Sequence, residues 1–581
     1  MKEELGKNME VKQIGDCLKN YGKGEVLTGA EILLRALELE GVDTIFGYPG
    51  GTVLHIYDAI YKCRTIRHIL PRHEQGGAHA ADGYARSTGR PGVVLATSGP
   101  GATNLVTGIA TAYMDSVPMI VITGQVSVPA IGRDSFQEAD ITGITLPITK
   151  YGYLVKDVRD LARSIREAFY IATTGRPGPV IIDIPKDVTL AETEFYYPPA
   201  YNLPGYKLRP NGIEKELLET VELLNKAKRP VLYAGGGVIS SQAEKLLTEL
   251  AEKLDIPVTC TLMGKGAVPD THPLSLGMPG MHGTVYANYA LTECDLLLAV
   301  GVRFDDRVTG NVKTFAANAK KVHIEIDPAE VNKNVAVDLA VLGDAKEILS
   351  ELLSRTQEQK RPQWLAQIDE WKNQYPLKFG QSDNGALKPQ FVISSINKIL
   401  EDNSIVVADT GQHQMWSAQY IKTTRARGFL TSGGLGAMGY GFPAAIGAQV
   451  ANPDALVVAV VGDGGFQMNL QELATAANYN LPVKVCLINN GYLGMVRQWQ
   501  DLFLEKRYSH TDINSGPDFV KLTGAYGIKA MRVQRPEEVL PALEEAKNTK
   551  GPVVIDFVVE KEENVFPMVP AGKSIFEILG R

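Results

Sequence analysis

Asp463 stands in the run "VVGDGG", directly after the apolar stretch Leu456 to Val461, and Asn490 stands in "INNGY", directly after a second apolar stretch, Val483 to Ile488. Each apolar run reads as a buried strand and Met468 to Asn478 reads as a helix, so the segment forms a βαβ unit with parallel strands. Both side chains then fall just past strand carboxyl ends, the edge at which open α/β sheets bind ligands. One carboxylate, one amide oxygen and nearby carbonyls suit Mg2+, which completes its octahedron with water and phosphate rather than with many protein ligands. Gly462, Gly464 and Gly465 let the backbone approach phosphate oxygens, and the following helix turns its positive end towards them. The pattern predicts a clamp for a metal ion and a diphosphate. The competing reading, in which Asp463 caps the helix and Asn490 occupies a left-handed turn, accounts for each residue alone but not for the matched pair.

A second carboxylate, Glu74 in "LPRHEQGGAHAADGYARSTGRPG", opens an alanine-rich amphipathic helix after a probable strand. An acid in a first helical turn is ordinary dipole complementation. The small residues around it would also let a flat ring lie against the backbone. Further along, "AGGGV" at Ala234 to Val238 follows a strand without the full spaced glycine fingerprint of a dinucleotide site. Glu325 ends the run "VHIEID", where an acid either accepts ribose hydroxyls or is a solvated strand end. Arg303 and Arg307 in "GVRFDDRVTG" flank two aspartates, and either form an ion-pair cluster or hold an anion. None of the nine histidines has metal-ligand spacing, and no Gly-x-Ser-x-Gly elbow occurs, so zinc hydrolysis and serine triads drop out. The hard chemical step falls to a bound cofactor.

These residues need a large scaffold. The chain has 581 residues, too long for one core, and 44% hydrophobic against 22% charged composition marks it as globular. A net charge of -7 leaves no general footprint for nucleic acid or an acidic membrane. Five cysteines, Cys17, Cys63, Cys260, Cys294 and Cys486, lack paired spacing and suit a reducing compartment. No run reaches membrane-spanning length and the first 25 residues resemble neither a signal nor a transit peptide, so a soluble cytoplasmic protein is expected. The βα rhythm breaks at Tyr196 to Gly212 and at Ser354 to Lys388, giving three blocks of domain size. In the first block a helix is read at Gly29 to Glu40 and strands at Thr44 to Phe46, Gly92 to Thr97 and Pro118 to Thr123. Strand-like runs in the second are "PVLYAGGGV", "PVTCTL", "DLLLAVGVRF" and "KVHIEID". All three blocks read as parallel α/β layers, and a domain-scale duplication is compatible with them.

Taken together, "GYPGG", "RHEQGGAHAADGYAR", "SGPGATN", "SFQEAD", "GRPGPV", "IPKDV", "GMHG", "GVRFDDRVTG", "GQHQMW", "TSGGLGAMGYG", "GDGGFQMN" and "NNGYLGMVRQW" follow one family order. From about Glu25 onwards the chain resembles the thiamine-diphosphate enzymes, and among them the large catalytic subunits of acetohydroxyacid synthase (acetolactate synthase). The resemblance implies three doubly wound parallel-sheet domains: pyrimidine-binding at 26–195, central FAD-binding at 213–353, and diphosphate- and Mg2+-binding with a C-terminal tail at 389–581. An N-terminal extension at 1–25 and linkers at 196–212 and 354–388 complete the division.

What the resemblance implies for the site is specific. Asp463, Asn490 and the carbonyl of Tyr492 would hold Mg2+; Gly462, Gly464, Gly465, Gln412, His413, Gly436, Ala437 and Met438 would surround thiamine diphosphate; and Glu74 would reach the aminopyrimidine of the opposite subunit, implying at least a homodimer. Glu74 would share a proton with that ring and favour the tautomer that takes the thiazolium proton. The carbon centre so created adds to pyruvate, carbon dioxide leaves, and the remaining two-carbon unit joins a second 2-ketoacid. Pyruvate as acceptor gives 2-acetolactate and 2-ketobutyrate gives 2-aceto-2-hydroxybutyrate, the entry to valine, leucine and isoleucine biosynthesis.

FAD, with no net redox part, would lie against Arg176, Gly235, Gly236, Thr261, Leu262, His282, Arg303, Glu325, Ile326 and Asp344. Gln137 and Lys186 would line the approach to the reacting centre, Arg307 would favour the larger acceptor, and Phe136, Met281, Met495, Val496 and Trp499 would wall the substrate channel. For Trp499 an ordinary buried aromatic is the competing reading. The alternatives are a flavin-free catabolic acetolactate synthase, against which "SFQEAD" and "GVRFDDRVTG" speak, and a pyruvate oxidase, against which Arg307 and Trp499 speak. An inactive scaffold or regulatory subunit would be expected to lack Glu74, Asp463 or Asn490, and all three are present. A small regulatory subunit, and a tetramer in place of a dimer, remain compatible with the chain.

Overall fold

The computed structural model describes residues 24–201, 203–206, 208, 212–380 and 385–580. Most of the expected N-terminal extension, Cys17 included, lies outside these residues. They divide into two compact units: the first runs to Ala85 and over Arg90–Tyr206, and the second holds Arg86–Gly89 and the chain after Tyr206.

The first unit contains β1 (Val26–Thr28), β2 (Thr44–Gly47), β3 (Arg67–Ile69), β4 (Gly92–Ala96), β5 (Met119–Gln125), β6 (Tyr151–Leu154), β7 (Pro179–Pro185) and β8 (Glu192–Glu194). Six of them form a fully parallel sheet in the order β3-β2-β4-β5-β7-β6, while β1 and β8 make a separate antiparallel pair. Every residue of β4, β5 and β7 is buried, as expected of strands covered by helices on both faces. Connections from β2 and β4 lead in opposite directions across the sheet, so the topological switch point lies between them.

The second unit holds two sheets. β9 (Pro230–Ala234), β10 (Val258–Cys260), β11 (Leu296–Val300), β12 (Lys320–Glu325) and β13 (Leu339–Leu342) form a parallel sheet in the order β10-β9-β11-β12-β13. β14 (Ile405–Ala408), β15 (Phe429–Thr431), β16 (Val457–Gly462), β17 (Lys484–Asn489), β18 (Lys529–Val533) and β19 (Val553–Val558) form another in the order β15-β14-β16-β17-β19-β18. This sheet is parallel throughout, with its switch point between β14 and β16. Counted from its own first strand, it has the same order as the six-stranded sheet of the first unit, which supports the reading of a domain-scale duplication.

The chain between β13 and β14 is more structured than its Gln-, Lys- and Pro-rich composition suggests. It includes a helix at Pro362–Gln374, whose Trp364 is buried and donates its Nε1–H to Pro230 O at 3.0 Å, just where β9 begins. Arg361, only 6% exposed, precedes that helix. Its Nη2 donates to Leu224 O at 2.9 Å, its Nε to Ala227 O at 3.2 Å and its Nη1 to Leu254 O, closing the carboxyl ends of the helices Glu214–Lys226 and Glu244–Leu254. These are carbonyls that a helix end leaves without an intrahelical partner. Arg361→Ala is expected to cost about 3 kcal/mol, several stranded carbonyls less what water restores. Chemical denaturation of the full chain checks this, and a loss under about 1 kcal/mol would show that water replaces the guanidinium.

Among the described residues no helix is long and apolar enough to cross a membrane.

Candidate active site

β16 and β17 pair with Gly462 opposite Ile488, so Asp463 and Asn490 emerge side by side past the carboxyl ends, beside the switch point. Here the structure corrects one expectation. The helix after β16 does not span Met468 to Asn478; it begins at Asp463 itself, runs to Met468, breaks at Asn469, and resumes after a short 3-10 turn as Leu473–Asn478. Asp463 is therefore the first helical residue rather than part of a preceding turn.

The two loops are already joined. Gly491, at φ +70°, turns its N–H onto Asp463 Oδ2 at 2.9 Å, and Asn490 Oδ1 accepts Tyr492 N–H at 3.1 Å. Hydrogen bonds from Leu493 N to Thr511 O (2.8 Å) and from Ile513 N to Gly491 O (2.9 Å) hold the second loop in place. Asn490 Nδ2 donates to Gln412 Oε1 at 3.3 Å, and Gln412 Nε2 in turn donates to Gln498 Oε1 and to Glu563 O, both at 2.9 Å. Gln412 is thus a strut between the clamp and the C-terminal tail. Asp463 is 4% exposed, and burial pushes its carboxyl up to about 7 against the pull of the Gly491 and Gly464 N–H groups. A cation beside it reverses that balance, and one carboxylate with one amide oxygen fits Mg2+.

The surroundings fit a diphosphate. A Cβ on Gly462 would lie 2.7 Å from the His413 ring and one on Gly464 2.9 Å from Leu493 Cδ2, so only glycine leaves this cradle open. Buried His413 keeps Nε2 without a partner, and burial holds the ring neutral by pushing its pKa down to about 3. Gly436, at φ +67°, Ala437 and Met438 form a turn beside the cradle, with Met438 Cε 3.4 Å from where a Gly464 Cβ would stand. Trp499 packs against Phe503 with tilted rings, centroids 5.2 Å apart, on the helix Gly494–Phe503. That helix also carries half-buried Met495 and exposed Val496.

In the five-stranded sheet, most of the expected flavin residues follow strand carboxyl ends: Gly235 and Gly236 after β9, Thr261 and Leu262 after β10, Arg303 after β11, Ile326 after β12 and Asp344 after β13. Glu325 itself closes β12. Several of these side chains already have local work. Asp344 caps the helix Ala345–Arg355, Thr261 Oγ1 accepts Gly264 N–H at 2.9 Å, and Glu325 Oε1 accepts its neighbours Ile326 N–H at 2.9 Å and Asp327 N–H at 3.1 Å. A Cβ on Gly235 would lie 2.1 Å from Gly301 O, so this glycine is required first for the close approach of two strand ends. His282 is buried with Nδ1 unpartnered, an orphaned polar atom that fits a bound group, and its pKa is pushed down to about 4. Arg303 pairs with Asp305 at 2.7 Å and the exposed Arg307 with Asp306 at 3.7 Å, the ion-pair reading of that segment. Met281 N–H donates to Arg307 O at 2.8 Å, so these two sit together, and Val569 of the tail donates to Met281 O at 2.8 Å.

In the first unit Glu74 opens the helix Glu74–Thr88, half-buried, and its Oε2 accepts Asn104 Nδ2 at 2.9 Å. Gln137, at φ +60°, lies against Gly99, where a Cβ would meet Gln137 O at 2.7 Å; its neighbour Phe136 is 88% exposed. Lys186 is exposed just after β7, and Arg176 Nε donates to Ser116 Oγ at 2.8 Å. Sequence reading missed Asn104 and also Asp183. The buried Asp183 carboxyl accepts Thr123 Oγ1–H at 2.7 Å and Gln125 Nε2–H at 3.0 Å, and burial pushes it up to about 7. Gln125 Nε2 also reaches Ala139 O at 2.8 Å, tethering the Gln137 loop to the sheet. The available signal was an acid inside the apolar run "VIIDIP".

Fold and site together define a thiamine pyrophosphate (thiamine diphosphate) enzyme. The family's N-terminal TPP binding domain matches residues 27–144, its central domain 217–352 and its C-terminal TPP binding domain 409–557. An acetolactate synthase of Mycobacterium bovis is 51% identical over 563 residues, covering 95% of this chain and 91% of the relative. The acetolactate synthase large subunit of Corynebacterium glutamicum is 50% identical over 564 residues, 95% and 90% of the two chains, and that of Pyropia yezoensis 49% over 565 residues, 95% of each. The chain belongs to the acetolactate synthase large-subunit family.

Proposed function

We propose that the chain decarboxylates pyruvate and ligates the two-carbon product to a second 2-ketoacid, giving 2-acetolactate or 2-aceto-2-hydroxybutyrate in branched-chain amino acid biosynthesis. The observation that carries this is half-identity along 95% of the chain to acetolactate synthase large subunits, with Asp463 and Asn490 side by side past the paired strands β16 and β17, beside the switch point. Thiamine diphosphate supplies the carbon nucleophile and electron sink the reaction needs. Asp463, Asn490 and the Tyr492 carbonyl would hold Mg2+ beside the diphosphate, and the open glycine cradle would admit the phosphates. Glu74 is the residue that would hold and share a proton with a bound aminopyrimidine across a homodimer interface, with Asn104 orienting its carboxylate. Gln137 and Lys186 orient substrate, and Phe136, Met281, Met495, Val496 and Trp499 keep its path apolar.

FAD belongs to the central domain in this reading, as a bound group with no net redox role. Buried His282 and the strand-end positions from Gly235 to Asp344 support it. We place the domain limits at 26–195, 213–353 and 389–581, and a cytoplasmic location and a small regulatory partner belong to the same proposal. The deciding assay measures acetolactate from pyruvate with Mg2+ and thiamine diphosphate, with and without FAD, while following oxygen. Product that depends on FAD without oxygen uptake is expected; FAD-independent product would indicate the catabolic form, and oxygen uptake without acetolactate an oxidase.

Arg307→Lys is expected to weaken the preference for 2-ketobutyrate over pyruvate roughly fivefold, about 1 kcal/mol, as a forked donor becomes a point charge. Product ratios in competition measure it, and an unchanged ratio would remove Arg307 from acceptor choice.

A further inference from the structure

The turn beside the diphosphate cradle is braced by two buried polar residues that none of the binding roles above uses. Asp409 follows β14 and Asn469 ends the helix that opens at Asp463, so the two approach the switch point from its two flanking strands. Both are essentially without solvent contact, at 0% and 1% exposure. Asp409 accepts Gly439 N–H with both carboxylate oxygens, at 3.0 and 3.1 Å, and Thr410 N–H at 2.6 Å. Asn469 Nδ2 donates to Gly439 O at 2.8 Å. Gly439, at φ +85°, is therefore held at its N–H from one strand and at its C=O from the other.

No slack surrounds this grip. A Cβ on Gly439 would lie 2.9 Å from Met468 Cβ, one on Gly441 2.8 Å from Asp409 Cβ, and one on Gly465 2.8 Å from Asp409 Oδ2. One carboxylate thus lies against both the turn that carries Gly436 to Met438 and the glycines of the first helical turn after Asp463. An apolar core would satisfy the fold without a buried acid and amide converging on one glycine, since burying such groups is costly unless each is paired.

We propose that Asp409 and Asn469 are positioning residues for thiamine diphosphate: by gripping Gly439 from both sides they set the Gly436 to Met438 turn against Gly464 and Gly465. This rests on the family reading of the site. It predicts that loosening the grip loosens cofactor binding beyond any loss of stability.

The test titrates the full-length Asn469→Ala protein with thiamine diphosphate at saturating Mg2+ by calorimetry, beside the unaltered chain and Gln449→Ala. Gln449 is the matched control: it is 1% exposed and its Nε2 donates to Asn452 O at 3.0 Å and Ala455 O at 3.2 Å, at the far end of the helix Gly441–Ala451. Asn469→Ala is expected to raise the dissociation constant about tenfold, the worth of one buried hydrogen bond passed on to binding. Gln449→Ala is expected to lower thermal stability comparably and leave binding within about twofold. Equal affinity in Asn469→Ala, or an equal loss in both variants, would overturn the proposal. Should the alanine variant not fold, the near-isosteric Asn469→Asp, which sets an acceptor against Gly439 O, must show the same weakened binding. Failure of the unaltered chain to bind thiamine diphosphate would instead overturn the family reading beneath it.

Discussion

Glu74→Gln is expected to lower acetolactate formation by roughly 100- to 10,000-fold, the range a positioned acid or base contributes, while thiamine diphosphate still binds. Glutamine keeps the volume and an oxygen for Asn104 Nδ2, which now lies 2.9 Å from Glu74 Oε2, so the helix start at Glu74 should survive. What it cannot do is exchange a proton. Steady-state rates at saturating cofactor, with binding measured separately by calorimetry, divide the two effects. Turnover within a few-fold of the unaltered chain would remove Glu74 from the chemistry and leave it as a first-turn acid complementing the helix dipole.

Asp463→Asn is expected to weaken Mg2+-dependent binding of thiamine diphosphate by about 100-fold, from the loss of one close charge in a partly screened site. The amide oxygen of asparagine can still accept Gly491 N–H, which now lies 2.9 Å from Asp463 Oδ2, so the joined loops need not part. The effect should therefore appear as a higher Mg2+ requirement, with circular dichroism unchanged. An unchanged Mg2+ requirement would mean that Asp463 serves only to join the two loops through Gly491 and to complement its helix dipole as a first-turn acid.

Much of this site was legible from local pattern. Asp463 and Asn490 were found because each ends a continuous apolar run, and such runs survive in sequence wherever a parallel strand is buried on both faces. The glycines beside them were legible because few other residues allow so close an approach. The break at Asn469 was not. Helical periodicity runs through that residue, and nothing near it in sequence shows that its side-chain amide is turned onto the carbonyl of Gly439, thirty residues earlier. Asn104, bonded to Glu74 from the turn between the helices Pro100–Thr103 and Val106–Met114, escaped because its partner lies thirty residues away, as did the link from Asp183 through Gln125 to Ala139.

For several residues whose roles the sequence left open, the structure adds a local contact. Glu325 turns its carboxylate onto its own neighbouring amides, Asp344 caps a helix, and Arg303 and Arg307 pair with adjacent aspartates. None of these contacts prevents a ligand role, but each gives the residue a structural reason to be where it is.

By itself the sequence determined the strand runs, the turn chemistry at their ends, the α/β class and the family, because these depend on neighbours along the chain. The tertiary structure alone decided the strand order, which puts a switch point between β14 and β16, and so decided that Asp409 and Asp463 flank one crevice. That order follows from how whole layers of helices bury both faces of each sheet, and no short stretch of sequence carries it.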